Sequence, residues 1–200
     1  MTRKEANDYY AALCAKLASK EFEVVSNNDR VHNAVIERLI LENSQLVNMY
    51  CGEMSVFREG FYFHINQNNQ IEHEDQPLGD ILKMDVIQAL QDFIDRPNTK
   101  LNSYFEKYDG SYLRDLITTK VFRNGVQLGK INLFKLNDAL FLKTGIGHTT
   151  CTDSGIMRIE RDPQTHEAVC GLNIPNDIRE LTTSTFETMA SVGEKIENFN

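Results

Sequence analysis

Helix-length amphipathic runs alternate with strand-length apolar runs through the first half of this chain, which restricts the choice of fold. Val31, Val35, Ile36, Leu39 and Ile40 fall on one side of a helix ending near Asn43. Residues 45–51 (QLVNMYC) then read as a buried strand closed by Gly52. Helical spacing returns at Leu82, Val86, Ile87, Leu90, Phe93 and Ile94, within a helix spanning 78–94. Arg96-Pro97-Asn98 stops that helix, and residues 100–105 form the next strand. Successive strands joined through helices pair in parallel, because a tight turn cannot connect them.

The chain opens with a capping box, Thr2-Arg3-Lys4-Glu5, followed by Ala6, Tyr9, Tyr10, Leu13, Cys14 and Leu17 at helical spacing. A short β-rich run follows at 22–25, and a short helix is expected over 111–121. The pattern changes at Gly129. Residues 130–136 alternate as a half-buried strand does, with further strands at 149–152, 156–161 and 167–172. The turns Asp153-Ser154-Gly155 and Asp162-Pro163-Gln164-Thr165 make this stretch an antiparallel meander. A closing helix opens after Pro175, capped by Asn176 or Asp177, with Ile178, Leu181, Phe186, Met189, Val192 and Ile196 on its packed side. The reading is one α/β domain over 1–200: a mixed sheet with flanking helices, a C-terminal antiparallel strand meander and a closing helix. Its helix–strand part covers 1–128 and its meander part 129–200.

At 200 residues and 41% hydrophobic content, the chain can bury a core without staples. No apolar run reaches the roughly 18 residues of a membrane helix, and no signal-peptide stretch follows Met1, so a cytoplasmic protein without membrane contact is expected. Cys14, Cys51, Cys151 and Cys170 form no CxxC pair and are expected to be reduced and buried. The net charge of −8 disfavours nucleic acid as a partner. Acid is concentrated in 70–95, where Glu72, Glu74, Asp75 and Asp80 lead a stretch whose ordinary reading is a solvated face. Its sharper reading is a docking surface for another protein with a basic surface, and a homo-oligomer is also open.

No cofactor or metal is expected. His64 and His73 flank a polar loop with Glu72, Glu74 and Asp75, but no helical pair fixes a ligand geometry. Residues 145–155 (GIGHTTCTDSG) fit neither a P-loop nor GxGxxG. His148, Cys151 and Asp153 within it suggest a Cys/His arrangement, yet in a strand residues 151 and 153 point away from the face of 148. Past the strand 45–51, Glu53, Ser55 and Arg58 stand where open α/β sheets form pockets, although the simpler reading is that Gly52 turns the chain and Glu53 or Ser55 begins a helix. Arg158 is a further binding candidate, and with Glu160 it reads most simply as surface charge on a half-exposed strand.

With these residues placed, the layout resembles the small phospholipase D-like modules of bacterial defence and stress islands. The resemblance is carried by the early helix, the segment VNMYCGEMSVFR, the helix–strand unit 78–105 and the late segment HTTCTDSGIMRIERD with its following strand and helix. It covers about 150 residues in outline. In active members the late strand pair carries an HxK(x)4D motif. Here the second residue after each histidine is Ala34, Asn66, Asp75, Thr150 or Ala168, and His148 stands too close to Asp153 for that motif. The resemblance therefore implies a catalytically degenerate member, a non-catalytic adaptor or sensor acting through protein–protein contacts in a prokaryotic antiviral defence or stress system. A phosphodiesterase or nuclease-like hydrolase is the alternative reading, and an acidic DNA mimic the second.

Overall fold

The alternation of the first half folds as its spacing predicts. The computed structural model describes residues 2–27, 29–52, 57, 76–105, 120–136, 147–162 and 167–197. In chain order they form α1 (Arg3–Ser19), β1 (Glu23–Asn27), α2 (Arg30–Asn43), β2 (Leu46–Cys51), α3 (Gln76–Asp95), β3 (Lys100–Phe105), α4 (Lys120–Gln127), β4 (Ile131–Lys135), β5 (Thr149–Thr152), β6 (Met157–Asp162), β7 (Glu167–Leu172), α5 (Asn176–Val192) and β8 (Glu194–Lys195). One sheet holds all eight strands in the order β1-β7-β6-β5-β2-β3-β4-β8. β2, β3 and β4 run parallel. β5, β6 and β7 form the antiparallel meander, and β5 joins the two halves by pairing antiparallel to β2.

Local chemistry sets the helix ends. Thr2 and Glu5 form the expected reciprocal capping box on α1, and Asp29 caps α2 by accepting from the His32 amide at 2.9 Å. The closing helix differs from its reading at both ends. Pro175 occupies the N-cap position and makes no side-chain cap bond. The helix stops at Val192 because the chain turns at Gly193, whose amide donates to Met189 O at 2.8 Å. A Cβ at Gly193 would sit 2.9 Å from that same oxygen, so only glycine fits. Ile196 then belongs to the segment following β8, and its amide donates to the Leu133 carbonyl of β4 at 2.9 Å. Of the helix expected over 111–121, residues 111–119 lie outside the described residues, and α4 begins at Lys120.

One face of the sheet is roofed by the first four helices. Ile36, Leu39 and Ile40 of α2, with Leu90 and Phe93 of α3 and Phe122 of α4, pack there with Val47, Leu101 and Ile131 of the parallel strands. A smaller cluster on the opposite face joins Tyr50, Tyr104 and Leu136 to Phe186 and Met189 of α5. The Tyr104 ring stacks on Phe134 at 5.0 Å. Among the described residues, no helix covers the β1–β7–β6 end of that face. Phe22 (54% exposed), Val24 (56%) and Ile159 (41%) stand open there. Gly171, the partner of Val24, carries no side chain, and the Phe22 ring lies beside it. No described helix is long and apolar enough to cross a membrane. All four cysteines are free; Cys51, Cys151 and Cys170 are buried and Cys14 is half-buried.

Candidate functional site

β5 runs against β2, so the start of β5 meets the carboxyl end of β2, where Tyr50 pairs with Thr149. His148 sits at that junction, its ring edge-on to Tyr50 with centroids 5.6 Å apart. Its Nδ1 donates to Glu160 Oε2 at 2.5 Å, and the Glu160 amide donates to the His148 carbonyl at 2.9 Å. The ring is seated against Gly52: a Cβ there would lie 3.1 Å from Cε1 and 3.3 Å from Nε2. An imidazole held at Nδ1 by a carboxylate has a fixed orientation, with Nε2 turned to the strand end.

Behind this pair the polar groups continue into the core. Arg158 Nη2 lies 3.7 Å from Glu160 Oε1. Arg158 is the sheet partner of both Thr150 and Cys170, and it is buried rather than lying on the surface as its strand pattern predicts. Its charge acts on Glu37 of α2, which is also buried. Burial pushes the Glu37 carboxyl up to about 7, and the neighbouring guanidinium opposes that rise. Glu37 Oε1 and Arg158 Nε and Nη2 have no hydrogen-bond partner among the described residues, nor does either polar atom of buried Asn27. Asn27, Ala168 and Glu160 share one row of the sheet, so these groups converge on the same edge. The sequence reading missed Glu37 and Asn27. The available signal was a carboxylate set among Val35, Ile36, Ile40 and Leu41 in the middle of a largely apolar helix.

The three chemistry candidates of β5 do not come together. Cys151 is buried on the α5 side, where desolvation raises its thiol pKa. Asp153, at the far end of the strand, accepts from the Gln45 and Leu46 amides through Oδ1, both at 3.0 Å. It holds the entry to β2 and is remote from His148. Glu53, Ser55, Arg58, Glu72, Glu74 and Asp75 lie outside the described residues. Asp80 is exposed on α3. Further along the acidic stretch, Asp85 pairs with Arg38, while Asp92 and Asp95 accept from Gln88 and Gln91. No group of metal-ligating side chains gathers among the described residues.

No family model matches the chain, and no curated protein matches it in sequence. Solved structures do match. TrmBL2, an archaeal chromatin protein with a novel mode of DNA binding, aligns with 97% of this chain and 63% of its own, at 16% identity and a TM-score of 0.50. Nuc of Salmonella typhimurium, a phospholipase D family member, aligns with 89% of this chain and 99% of its own, at 10% identity and a TM-score of 0.49. This chain thus spans a little under two-thirds of the chromatin protein's length. One expectation is overturned: nucleic acid cannot be set aside as a partner, because a similar fold occurs in a protein that binds DNA. The net charge of −8 is a sum over the whole chain, whereas phosphate contact depends on where individual cations lie. At these identities the likeness is one of fold, and it is the α/β architecture that the sequence pattern predicts.

Proposed function

We propose that this domain is a non-catalytic adaptor or sensor working through protein–protein contact, in the prokaryotic defence or stress setting implied by the resemblance. The observation carrying this reading is the bare apolar end of the sheet. Phe22, Val24 and Ile159 stand on one face, beside an edge strand whose outer backbone groups are unpaired among the described residues. Single exposed apolar residues are ordinary, but a contiguous set on an uncovered sheet face is a contact surface. The edge strand itself (EVVSN) has no proline, and its one charged side chain, Glu23, is held by Lys16 of α1, so little protects it from pairing. The histidine site supports the same reading. Thr150 is buried at the second position after His148, and the adjacent cation, Arg158, is enclosed by Glu37 and Glu160.

Phe22→Ser and Val24→Asp variants test this. The wild-type chain is expected to form a stoichiometric complex, with itself or with another protein, that both variants lose while keeping the wild-type circular dichroism spectrum. A wild-type chain that stays monomeric and without partners at its native level, or a complex that survives both substitutions, refutes the reading.

A hydrolase acting on phosphodiesters is the second reading, favoured by the bond between His148 and Glu160. A carboxylate-oriented imidazole at a strand end is the arrangement that acid–base catalysis uses. It predicts an activity in a nuclease and cyclic-nucleotide screen that His148→Ala abolishes. An activity that His148→Ala leaves intact rules it out.

A further inference from the structure

Three side chains of the core keep polar atoms uncommitted where α2 meets the sheet. Arg158 of β6 is 9% exposed and Glu37 of α2 is 2% exposed. Arg158 Nε and Nη2 and Glu37 Oε1 have no hydrogen-bond partner among the described residues, and neither does the side chain of Asn27 on the edge strand. The guanidinium stands between two carboxylates. Its Nη2 lies 3.7 Å from Glu160 Oε1, close enough for an ion pair and too far for a hydrogen bond. Its charge also acts on Glu37, where it opposes the effect of burial. One cation therefore serves two acids with two of its nitrogens still available, and a planar fork of five donors can turn from one acid to the other. Glu160 is shared as well, because its second oxygen holds His148 Nδ1 at 2.5 Å.

The neighbouring groups keep their charge state near neutral pH. Cys170 of β7 is the sheet partner of Arg158, and burial pushes its thiol up to about 12. Tyr9 of α1, which feels Cys170, is pushed up to about 12 by burial too. Thr150 of β5, the other sheet partner of Arg158, does not titrate. At the start of α2, Asp29 and His32 pair with each other at 2.8 Å; beyond Glu37, Arg38 pairs with Glu42 and with Asp85 of α3. Within the cluster this leaves two of the described groups that change charge near neutral pH: Glu37, raised to about 7, and the His148 imidazole.

We propose that Arg158 is a two-position switch, pairing with Glu160 while Glu37 is neutral and turning to Glu37 when that carboxyl ionises, so that the charge of the buried helix carboxylate is read at His148. With Arg158 on Glu160, a protonated imidazole competes with a guanidinium for one carboxylate. With Arg158 on Glu37, Glu160 serves the imidazole alone and the imidazolium is favoured. As pH rises through about 7, loss of the Glu37 proton therefore strengthens the hold of His148 on its own. The bistable element is the guanidinium, and the histidine at the strand end keeps its proton over a wider pH range than an isolated imidazole does. The switch depends on no partner and no substrate, so it stands apart from both functional readings.

The test is a pH titration of the full chain by NMR, following the Arg158 Nε–H resonance and the His148 ring. In the wild-type chain the Arg158 resonance should move with a midpoint of about 7. The His148 ring should titrate over more than the roughly two pH units that a lone imidazole needs. Glu37→Gln should fix the Arg158 resonance, narrow the His148 titration to one step and weaken its proton affinity by about threefold or more. Glu42→Gln removes a carboxylate of the same helix that pairs with Arg38, and should do none of these. In an Arg158→Met background the effect of Glu37→Gln on His148 should fall below half. If Arg158→Met does not fold, the Arg158 resonance in Glu37→Gln decides by itself. An Arg158 resonance that ignores pH near 7, or that moves in Glu37→Gln as in the wild type, overturns the switch. So do equal effects of Glu37→Gln and Glu42→Gln on His148, or an effect of Glu37→Gln that persists in full without Arg158.

Discussion

Glu37→Gln should stabilise this protein, and by an amount that grows with pH. The Glu37 carboxyl is raised from an ordinary 4.5 to about 7, so the folded state holds its proton where the unfolded chain has released it. A raised carboxyl contributes stability that is fully present below the unfolded value and is lost as pH climbs through the folded value. At 1.36 kcal/mol per tenfold in proton affinity, the loss between about pH 4.5 and pH 7 comes to about 3 kcal/mol. Glutamine keeps the shape of the protonated acid and has no such loss. The two proteins should therefore unfold at similar urea concentrations near pH 4.5, and the variant should lead by about 3 kcal/mol at pH 8. For a chain of this length that is about 6–12 °C in Tm. Urea melts at half-unit pH intervals, with the slope held common, read the difference directly. A gap that is constant with pH would show that Glu37 does not hold its proton. A variant less stable than the parent at every pH would show an ionised Glu37 paired to Arg158, the loss of whose partner is costly.

Three further outcomes follow from local geometry. Asp153→Ala removes the shared acceptor of the Gln45 and Leu46 amides and should cost about 1–3 kcal/mol in urea melts, with no effect on the His148 ring signals. Gly52→Ala places a methyl group 3.1 Å from the His148 ring, so the downfield imidazole Nδ1–H resonance expected of the Glu160 bond should shift or vanish in proton NMR. Toward a thiol reagent, half-buried Cys14 should react first; Cys51, Cys151 and Cys170 should wait for unfolding, since Cys170 is buried with its thiol raised to about 12. Fast native-state labelling of all four would contradict their burial.

The sequence made the sheet legible where one periodicity dominated. Residues 45–51 and 100–105 read as strands because short runs with apolar and aromatic side chains stand between helical stripes, and both emerge as neighbouring parallel strands. The strand at 130–136 shows the limit of that method. Alternation marks a strand but says nothing of its direction, and β4 pairs parallel to β3 instead of opening the meander. The closing helix was extended too far because Ile196 fits the helical period, whereas the close approach at Gly193 is a contact that no periodicity encodes. The site was harder to read for a related reason. Arg158 and Glu160 alternate with apolar residues as surface charges do, and the packing of helices over that face, with Glu37 of α2 beside Arg158, places them inside. A charge pattern on a strand gives a face, and the partner element decides whether that face is wet.

The reversal at β5 explains why the polar chain from Glu37 to His148 lies where it does. In a wholly parallel sheet every strand would begin at the same edge, opposite the carboxyl ends where pockets form. Because β5 runs against β2, its first residue arrives beside the last residues of β2, and β6 then carries Glu160 back to the same edge. A histidine before one strand and a carboxylate near the end of the next are thus brought within 2.5 Å by topology, without a sequence motif joining them. The same reversal carries Asp153 to the amino end of β2, where it fixes the strand's entry and borders a groove between the sheet and α5. One antiparallel strand therefore separates the two polar regions. His148 and Asp153, five positions apart in sequence, sit at opposite ends of β5, and substitution of either should leave the other's bonds in place.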